Sequence, residues 1–376
     1  IREGRARKVS LEYLAAGGGV ITDAVSSTPW EGEANVHVSI VNWVKNPSSV
    51  SDETPMLLDD EEVDAITPSL TSGDDYAAPA RLEGNAGRSF QGPIPVGKGF
   101  ELTDEEARAL LARGEARYGD VVRPYLKGRD ITEDPVQAPR QWIIDFADRT
   151  LEQAMKYPAA LAVVRERVKP EREAKQTGKS GIQKRRREIW WQFGSTAMAM
   201  RRALHGLPRY VAANEYGKQI RFTWQAPSTC PNNKIIVIAS ADPAVLGLLL
   251  CRSFALWIER WGGRLKADLH FTPTTVFETF PFPPDDPVAR EAIGVAADAL
   301  VARRSELCLH GLAAPIGLTK LYNLVEEGAF RELVALHKGL DRAVLGAYRW
   351  PRSLATSSPE HDRELLRRLY DRNQAL

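Results

Sequence analysis

The chain has 376 residues, 43% of them hydrophobic and 26% charged, with a formal net charge of +1. This is the composition of a globular protein long enough for two or three cores, and it excludes a polycation that grips nucleic acid by overall charge. Any nucleic-acid surface must come from uneven placement of charge.

Cys230, Cys251 and Cys308 are too few and too scattered for a disulfide scaffold or a cysteine zinc site, which points to a reducing compartment. The most apolar run, Ala244–Trp257, is interrupted by Arg252 and is too short to cross a bilayer. No signal-peptide pattern opens the chain. Its start at Ile1, inside charged helix-like sequence, reads as a cut from a longer protein.

Val9–Ala16 is a short amphipathic stretch stopped by Gly17-Gly18-Gly19. Val20–Val25 and Val36–Val44 are β-branched runs of strand length. Two strands and half a helix cannot close a core, so the rest of this sheet is expected upstream. Residues 48–75 carry Asp52, Glu53, Asp59, Asp60, Glu61, Glu62, Asp64, Asp74 and Asp75 without a single Lys or Arg. That pattern reads as a solvated hairpin and linker, facing away from any phosphate backbone.

Residues 86–150 alternate short strands and turns around a helix from about Asp104 to Gly114, an α+β pattern. Thr103-Asp104-Glu105-Glu106 is a helix start with acids near the positive end of the dipole. A helix is expected over Tyr157–Val168. From Arg165 to Arg187 ten basic residues face three acids, and Trp190, Trp191 and Phe193 follow. Such a run either tracks phosphates or is a solvated, salt-bridged helix face. Arg209–Gln225 and Lys234–Ala239 read as strands around a polar loop. Ala244–Trp261 reads as one long buried helix. The strip FTPTTVFETFPFPP, residues 271–284, has four prolines and reads as an extended strap whose phenylalanines dock on a core. Residues 285–350 are helical by period, and a charged helix follows from Ser353.

Catalytic chemistry is absent from these patterns. There is no GxGxxG or GxxxxGK[ST] loop and no CxxC or HExxH, and the six histidines are scattered. Asp145 with Glu173-Ala174-Lys175 has the residue types of an acidic nuclease triad, but the second half sits in a charged helix and is set aside. Binding chemistry is better represented. RPYLKGRDI offers Arg123, Lys127 and Arg129 with Pro124 and Gly128 as turn-makers, which suits phosphate positioning, as does Lys184-Arg185-Arg186-Arg187. The stretch from Asn214 to Arg221 carries Asn214, Glu215, Lys218, Gln219 and Arg221. These are side-chain types that read base edges, although an ordinary hairpin tip has the same composition. Gln91 and Lys98 are further candidates for base contact.

Seven segments occur in one order: PWEGEANVHVSIVNW, GRSFQGPIPVGKGFEL, VVRPYLKGRDI, QWIIDF with ERVKPER, WWQFG, GLPRYVAA and FTPTTVFETFPFP. In this order they resemble the C-terminal part of MmeI-like DNA methyltransferases, the Type IIL restriction–modification family, from Ile1 to about Trp350. FQG…GKGF followed by RPYLKGRDI is also similar to the target recognition domains of TaqI-like adenine methyltransferases and Type I specificity subunits. The resemblance implies an α+β chain. Residues 1–72 would be the tail of a Rossmann-like methyltransferase sheet with an acidic linker, 73–284 a DNA target recognition domain, and 285–376 a helical C-terminal domain.

It implies sequence-specific recognition of double-stranded DNA within an adenine-N6 methyltransferase of a restriction–modification or phage-defence system, in the cytoplasm. S-adenosylmethionine and the Asn-Pro-Pro-Tyr motif would belong to an upstream methyltransferase half, leaving this piece inactive alone, with no metal and no membrane partner. Phe277, Phe280 and Phe282 would be core anchors. Arg264 and Lys266 would lie nearer the DNA, Lys266 as a phosphate contact. The alternatives are a non-catalytic specificity or scaffold subunit that binds DNA or a partner protein, and RNA binding through the basic run.

Overall fold

Alternation along one strand organises the larger part of the fold. Tyr210–Asn214 is buried at every residue. Successive side chains of a strand point to opposite faces, so this strand serves two cores. Val211 and Ala213 enter one, together with Ile236 and Ile238 from Ile235–Ile238. Tyr210 and Ala212 enter the other, with Ile235 and Val237. The sheet is antiparallel, in the order Phe222–Gln225, Tyr210–Asn214, Ile235–Ile238, Ser89–Gln91.

The computed structural model describes residues 9–30, 32–33, 36–46, 48, 55–72, 76–113, 117–174, 181–265 and 268–376. Apart from the last two residues, contacts divide the chain into Ile1–Ala80 with Gly263–Asp268, and Arg81–Gly262 with Leu269–Gln374. The fold is α+β: four small sheets among the described residues, followed by a helical C-terminal region. Among the described residues no helix is long and apolar enough to cross a membrane.

In the first unit the helix Leu11–Ala16 ends at the glycine run, where Gly18 takes φ 82°. Its sheet has the order His37–Val44, Val20–Pro29, Met56–Leu58, Glu61–Val63. The expected acidic hairpin is present. Asp59 and Asp60 form its two-residue turn with φ 54° and 68°, the left-handed pair that matches strand twist. Among its described residues the buried apolar side chains are few, Leu11, Ile21, Ala24, Ile66 and Leu70, while Trp30, Ile40 and Trp43 stay 55%, 53% and 47% exposed.

In the second unit Thr103 starts the helix Asp104–Leu111 with a full capping box. Its hydroxyl accepts from the Glu106 amide at 3.2 Å, and the Glu106 carboxylate accepts from the Thr103 amide at 2.9 Å. A second sheet, in the order Cys230–Pro231, Val122–Leu126, Gln141–Ile144, Glu101–Leu102, closes on Phe100, Tyr118, Phe146, Trp190, Trp191 and Phe193. The long basic run takes in the end of helix Pro158–Arg167, the helix Lys169–Ala174 and most of Gly181–Glu188. Arg172, inside that run, is not on the surface. It is 5% exposed and donates to the carbonyls of Arg186, Ile189, Trp190, Gln192 and Pro95 at 2.8–3.4 Å. Burial, reinforced by Arg186, pushes its guanidinium down to about 10, still charged at neutral pH.

The apolar run Ala244–Trp261 is two helices, Pro243–Leu250 and Arg252–Trp261, and not the single one expected. Cys251 between them is extended, and the Arg252 amide donates to Asp341 Oδ1 at 2.8 Å, a capping contact from 89 residues away. The phenylalanine strip also departs from a purely extended strap. Pro273–Phe277 makes one wide helical turn, closed by the Glu278 amide on the Pro273 carbonyl at 2.8 Å. Beyond it the strap runs outside any sheet, so its carbonyls need side-chain donors. Asn85 supplies Phe280 at 2.8 Å, Asn373 supplies Thr279 at 2.7 Å, and Tyr348 supplies Pro281 at 3.0 Å. Phe277 and Phe280 are fully buried and Phe282 packs against the same core. That core also takes side chains from helices Pro287–His310, Leu318–Glu326 and Arg331–Tyr348. All three cysteines are buried.

Two groups on Arg331–Tyr348 give opposite pH dependences. Burial, with Arg304 and Arg221 nearby, pushes the His337 imidazole down to about 4. Burial pushes the Asp341 carboxyl up to about 6, against the Arg252 amide and charge. Between about pH 4 and 6.5 the unfolded chain holds the His337 proton and the folded chain does not, so this group adds stability as pH rises. Between about pH 4 and 6 the folded chain holds the Asp341 proton and the unfolded chain does not, so that group removes stability as pH rises. Each contributes on the order of 3 kcal/mol, and the two largely offset. Relative to the parent chain, Asp341→Asn should gain stability as pH rises from 4 to 6.5, and His337→Gln should lose it. Urea unfolding across that range checks both signs; parallel profiles for all three chains would remove this account.

Candidate nucleic-acid interface

At one end of the central sheet Asn214, Lys234 and Gln91 come together at the ends of their strands. The chain between Asn214 and Phe222 is a tight loop bracketed by one amide. Asn214 Nδ2 donates to the carbonyls of Tyr216 at 2.8 Å and Gln219 at 3.3 Å, and its Oδ1 accepts from the Arg221 amide at 2.7 Å. Gly217 is required there, since a Cβ would lie 2.9 Å from Asn214 Nδ2. Tyr216 and Gly217 pair with His270 and Leu269. Asn214, expected to read a base edge, is 3% exposed and spends its whole amide inside the loop.

Glu215 lies beneath the loop, 6% exposed. Its Oε1 stands 3.3 Å from Gln91 Nε2 and 3.3 Å from His270 Nε2, and its Oε2 is 3.3 Å from Lys234 Nζ. Tyr216 stacks on His270 with ring centroids 4.2 Å apart, and Lys234 Nζ sits 4.8 Å from the Tyr216 ring centroid. The structure thus joins two expected residues, Gln91 and Glu215, to three that sequence reasoning did not single out. No local pattern links Lys234 or His270 to Glu215. Lys218 and Gln219 are exposed at the loop tip. Arg221 is not: its guanidinium stacks 3.8 Å over the Tyr322 ring, and burial pushes it down to about 10.

A second group forms around the helix Gly181–Glu188. Lys184 is 75% exposed, 3.9 Å from Glu188, and Arg185 is exposed, while Arg186 and Arg187 are half-buried. Arg172 fastens the far end of this helix by its carbonyls and ties it to Pro95. The Gly97–Gly99 segment packs on the stretch that carries Arg172: Cβ atoms added at Gly97 and Gly99 would meet Glu171 and Val168. Lys98, expected among the base contacts, is exposed between two glycines packed on Arg167–Glu171, on a different element from the loop tip.

Arg123, Lys127 and Arg129 belong to neither group. Arg123 is tied to the carbonyls of Ser228 and Pro227. Lys127 bonds Glu101 at 2.7 Å. Arg129, 86% exposed, lies 3.6 Å from Glu133. Lys266 lies outside the described residues, and Arg264 is exposed on Gly263–Leu265. Asp145, the acid of the nuclease-like pattern, is a buried partner of Arg201 at 2.7 Å, and Lys175 lies outside the described residues. Among the described residues no three His, Cys, Asp or Glu side chains come together as a metal site requires.

The Asn214 bracket generates a stability prediction. Asn214→Ala leaves two carbonyls and one amide of a half-buried loop without these partners and should cost about 2 kcal/mol. Lys218→Ala, at the exposed tip, should cost under about 0.5 kcal/mol. Urea midpoints of the two variants check the contrast.

No curated protein matches the chain. The chain has the fold of a solved structure of the Type IIL restriction–modification enzyme MmeI in complex with DNA, with TM-score 0.78 and 20% sequence identity. The match covers 100% of this chain and 49% of that one, so the chain spans about half the length of that enzyme. The family model described as MmeI, target recognition domain, matches residues 89–284, which hold the central sheet, the loop and the basic helix. Matched over more than half its length by that model, the chain belongs to the MmeI target recognition domain family.

Proposed function

We propose that this chain is the sequence-reading part of a site-specific DNA adenine methyltransferase of the Type IIL kind. One observation carries the reading: the domain matched to the family holds a rigidly bracketed loop whose exposed tip presents Lys218 and Gln219. Amide and ammonium groups on a stiff support suit base edges in the major groove. Exposed cations that sit apart from the tip suit the phosphate backbone, which positions a duplex without reading it.

The division of labour follows the chain. Residues 1–72 would complete the sheet of an upstream methyltransferase half, which the exposed Trp30, Ile40 and Trp43 support. Residues 73–284 would read DNA, and 285–376 would brace them. S-adenosylmethionine would bind that upstream half, since the glycine run here closes a helix where a cofactor loop would open one. Base contacts would come from Lys218 and Gln219, with Gln91 and Glu215 behind them. Phosphate contacts would come from Arg129, Lys184, Arg185 and Arg187, with the exposed Lys98 as a further cation.

The test is selection from a randomised duplex pool at two salt concentrations, followed by sequencing of retained DNA. The parent chain should enrich one asymmetric motif. Lys218→Ala should change the preferred base at one position, at a cost of about 1–3 kcal/mol for the parent motif. Lys184→Ala and Arg185→Ala should weaken all sequences alike and lower the salt slope by about 1 each. Salt-sensitive retention with no enriched motif, or identical behaviour of the two classes of variant, would overturn this assignment.

A further inference from the structure

The loop is held from outside the family-matched region as well as from within. Arg221 stacks on Tyr322, whose hydroxyl lies 2.9 Å from His337 Nε2. Arg304 Nη2 donates to the Phe222 carbonyl at 3.0 Å, on the strand that leaves the loop. Gln219 Nε2 donates to Glu326 Oε1, a contact across 107 residues. Tyr322 and Glu326 share the helix Leu318–Glu326, which Leu318 and Leu321 anchor in the common core.

A carboxylate has acceptors only, so it can bond the amide nitrogen of Gln219 and never its oxygen. Glu326 therefore fixes which end of that amide faces out. The nitrogen turns to the helix and the carbonyl oxygen is left outward. An outward acceptor pairs with an exocyclic amino group, N6 of adenine or N4 of cytosine, and opposes the acceptors O6 of guanine and O4 of thymine. Building on the proposed DNA reading of this loop, we infer that Glu326 is a specificity-positioning residue: by orienting the Gln219 amide, it sets one position of the recognised sequence to an amino-bearing base, adenine or cytosine.

Reversing the polarity of the support tests this. A lysine at 326 donates to the Gln219 oxygen and turns the nitrogen outward. Selection from a randomised duplex pool would use the 376-residue chain and its Gln219→Ala, Glu326→Gln and Glu326→Lys variants. The parent should prefer adenine or cytosine at one position by about tenfold. Gln219→Ala should lose that preference and Glu326→Gln should relax it. Glu326→Lys should shift it toward guanine or thymine at the same position and leave the others unchanged.

A parent preference for guanine or thymine at the Gln219-dependent position overturns the inference. So does its survival in both Glu326 variants while Gln219→Ala loses it, and there the loop still reads DNA. If Gln219→Ala keeps every preference, the reading of the loop itself fails. Both side chains are exposed, so unchanged thermal midpoints will show that the variants fold. A structural role alone would lower affinity for all sequences and leave base preference where it was.

Discussion

A strand buried at every residue can offer chemistry only at its ends, and Tyr210–Asn214 is such a strand. Its first four side chains are committed to one of two cores and Asn214 to the loop backbone, so no recognition group can project from its faces. The polar residues that follow must crowd into the turn beyond Asn214. That constraint explains why one asparagine amide makes three bonds there, and why a glycine sits where a Cβ would strike it. It also explains the buried carboxylate of Glu215, which meets Gln91, His270 and Lys234 from three separate segments. Rigidity at the tip is a by-product of having no room at the root.

The basic helix solves a different problem. Mutually repelling cations on one short helix need a support that does not neutralise them. Arg172 supplies it by binding carbonyls, which lie toward the negative end of the helix dipole, although it adds a like charge beside Arg186. The Pro95 carbonyl on the same guanidinium ties the strand-side stretch before Gly97 to the same fastener. A charge that looks like one more surface cation in the sequence is an internal fastener in the fold.

What was legible in the sequence was local. The Thr103 helix start, the acidic hairpin, the strands around the polar loop and the core-seeking phenylalanines all follow from period, caps and turn chemistry over a few residues. What was not legible depends on partners far along the chain. Nothing near Cys251 announces that Asp341 will capture the next amide and break the apolar run in two. The proline rule favours an extended strip, yet proline also suits a first helical position, and Pro273 takes that use. Arg221 has the right chemistry for guanine, but its fate is decided by Tyr322, on a helix whose own pattern says only that it is amphipathic. The segment of the site was visible; the division of its residues between reaching out and holding still was not.

The burial of all three thiols has a practical consequence. Burial raises Cys230 and Cys308 above the usual thiol range and Cys251 to about 12, so none offers a reactive thiolate to solvent. A cysteine introduced at the exposed loop tip would be the one thiol within reach of a maleimide dye or a disulfide cross-linker. The native sequence is thus already a suitable background for attaching a single spectroscopic probe, with no core cysteine to replace and no packing to disturb.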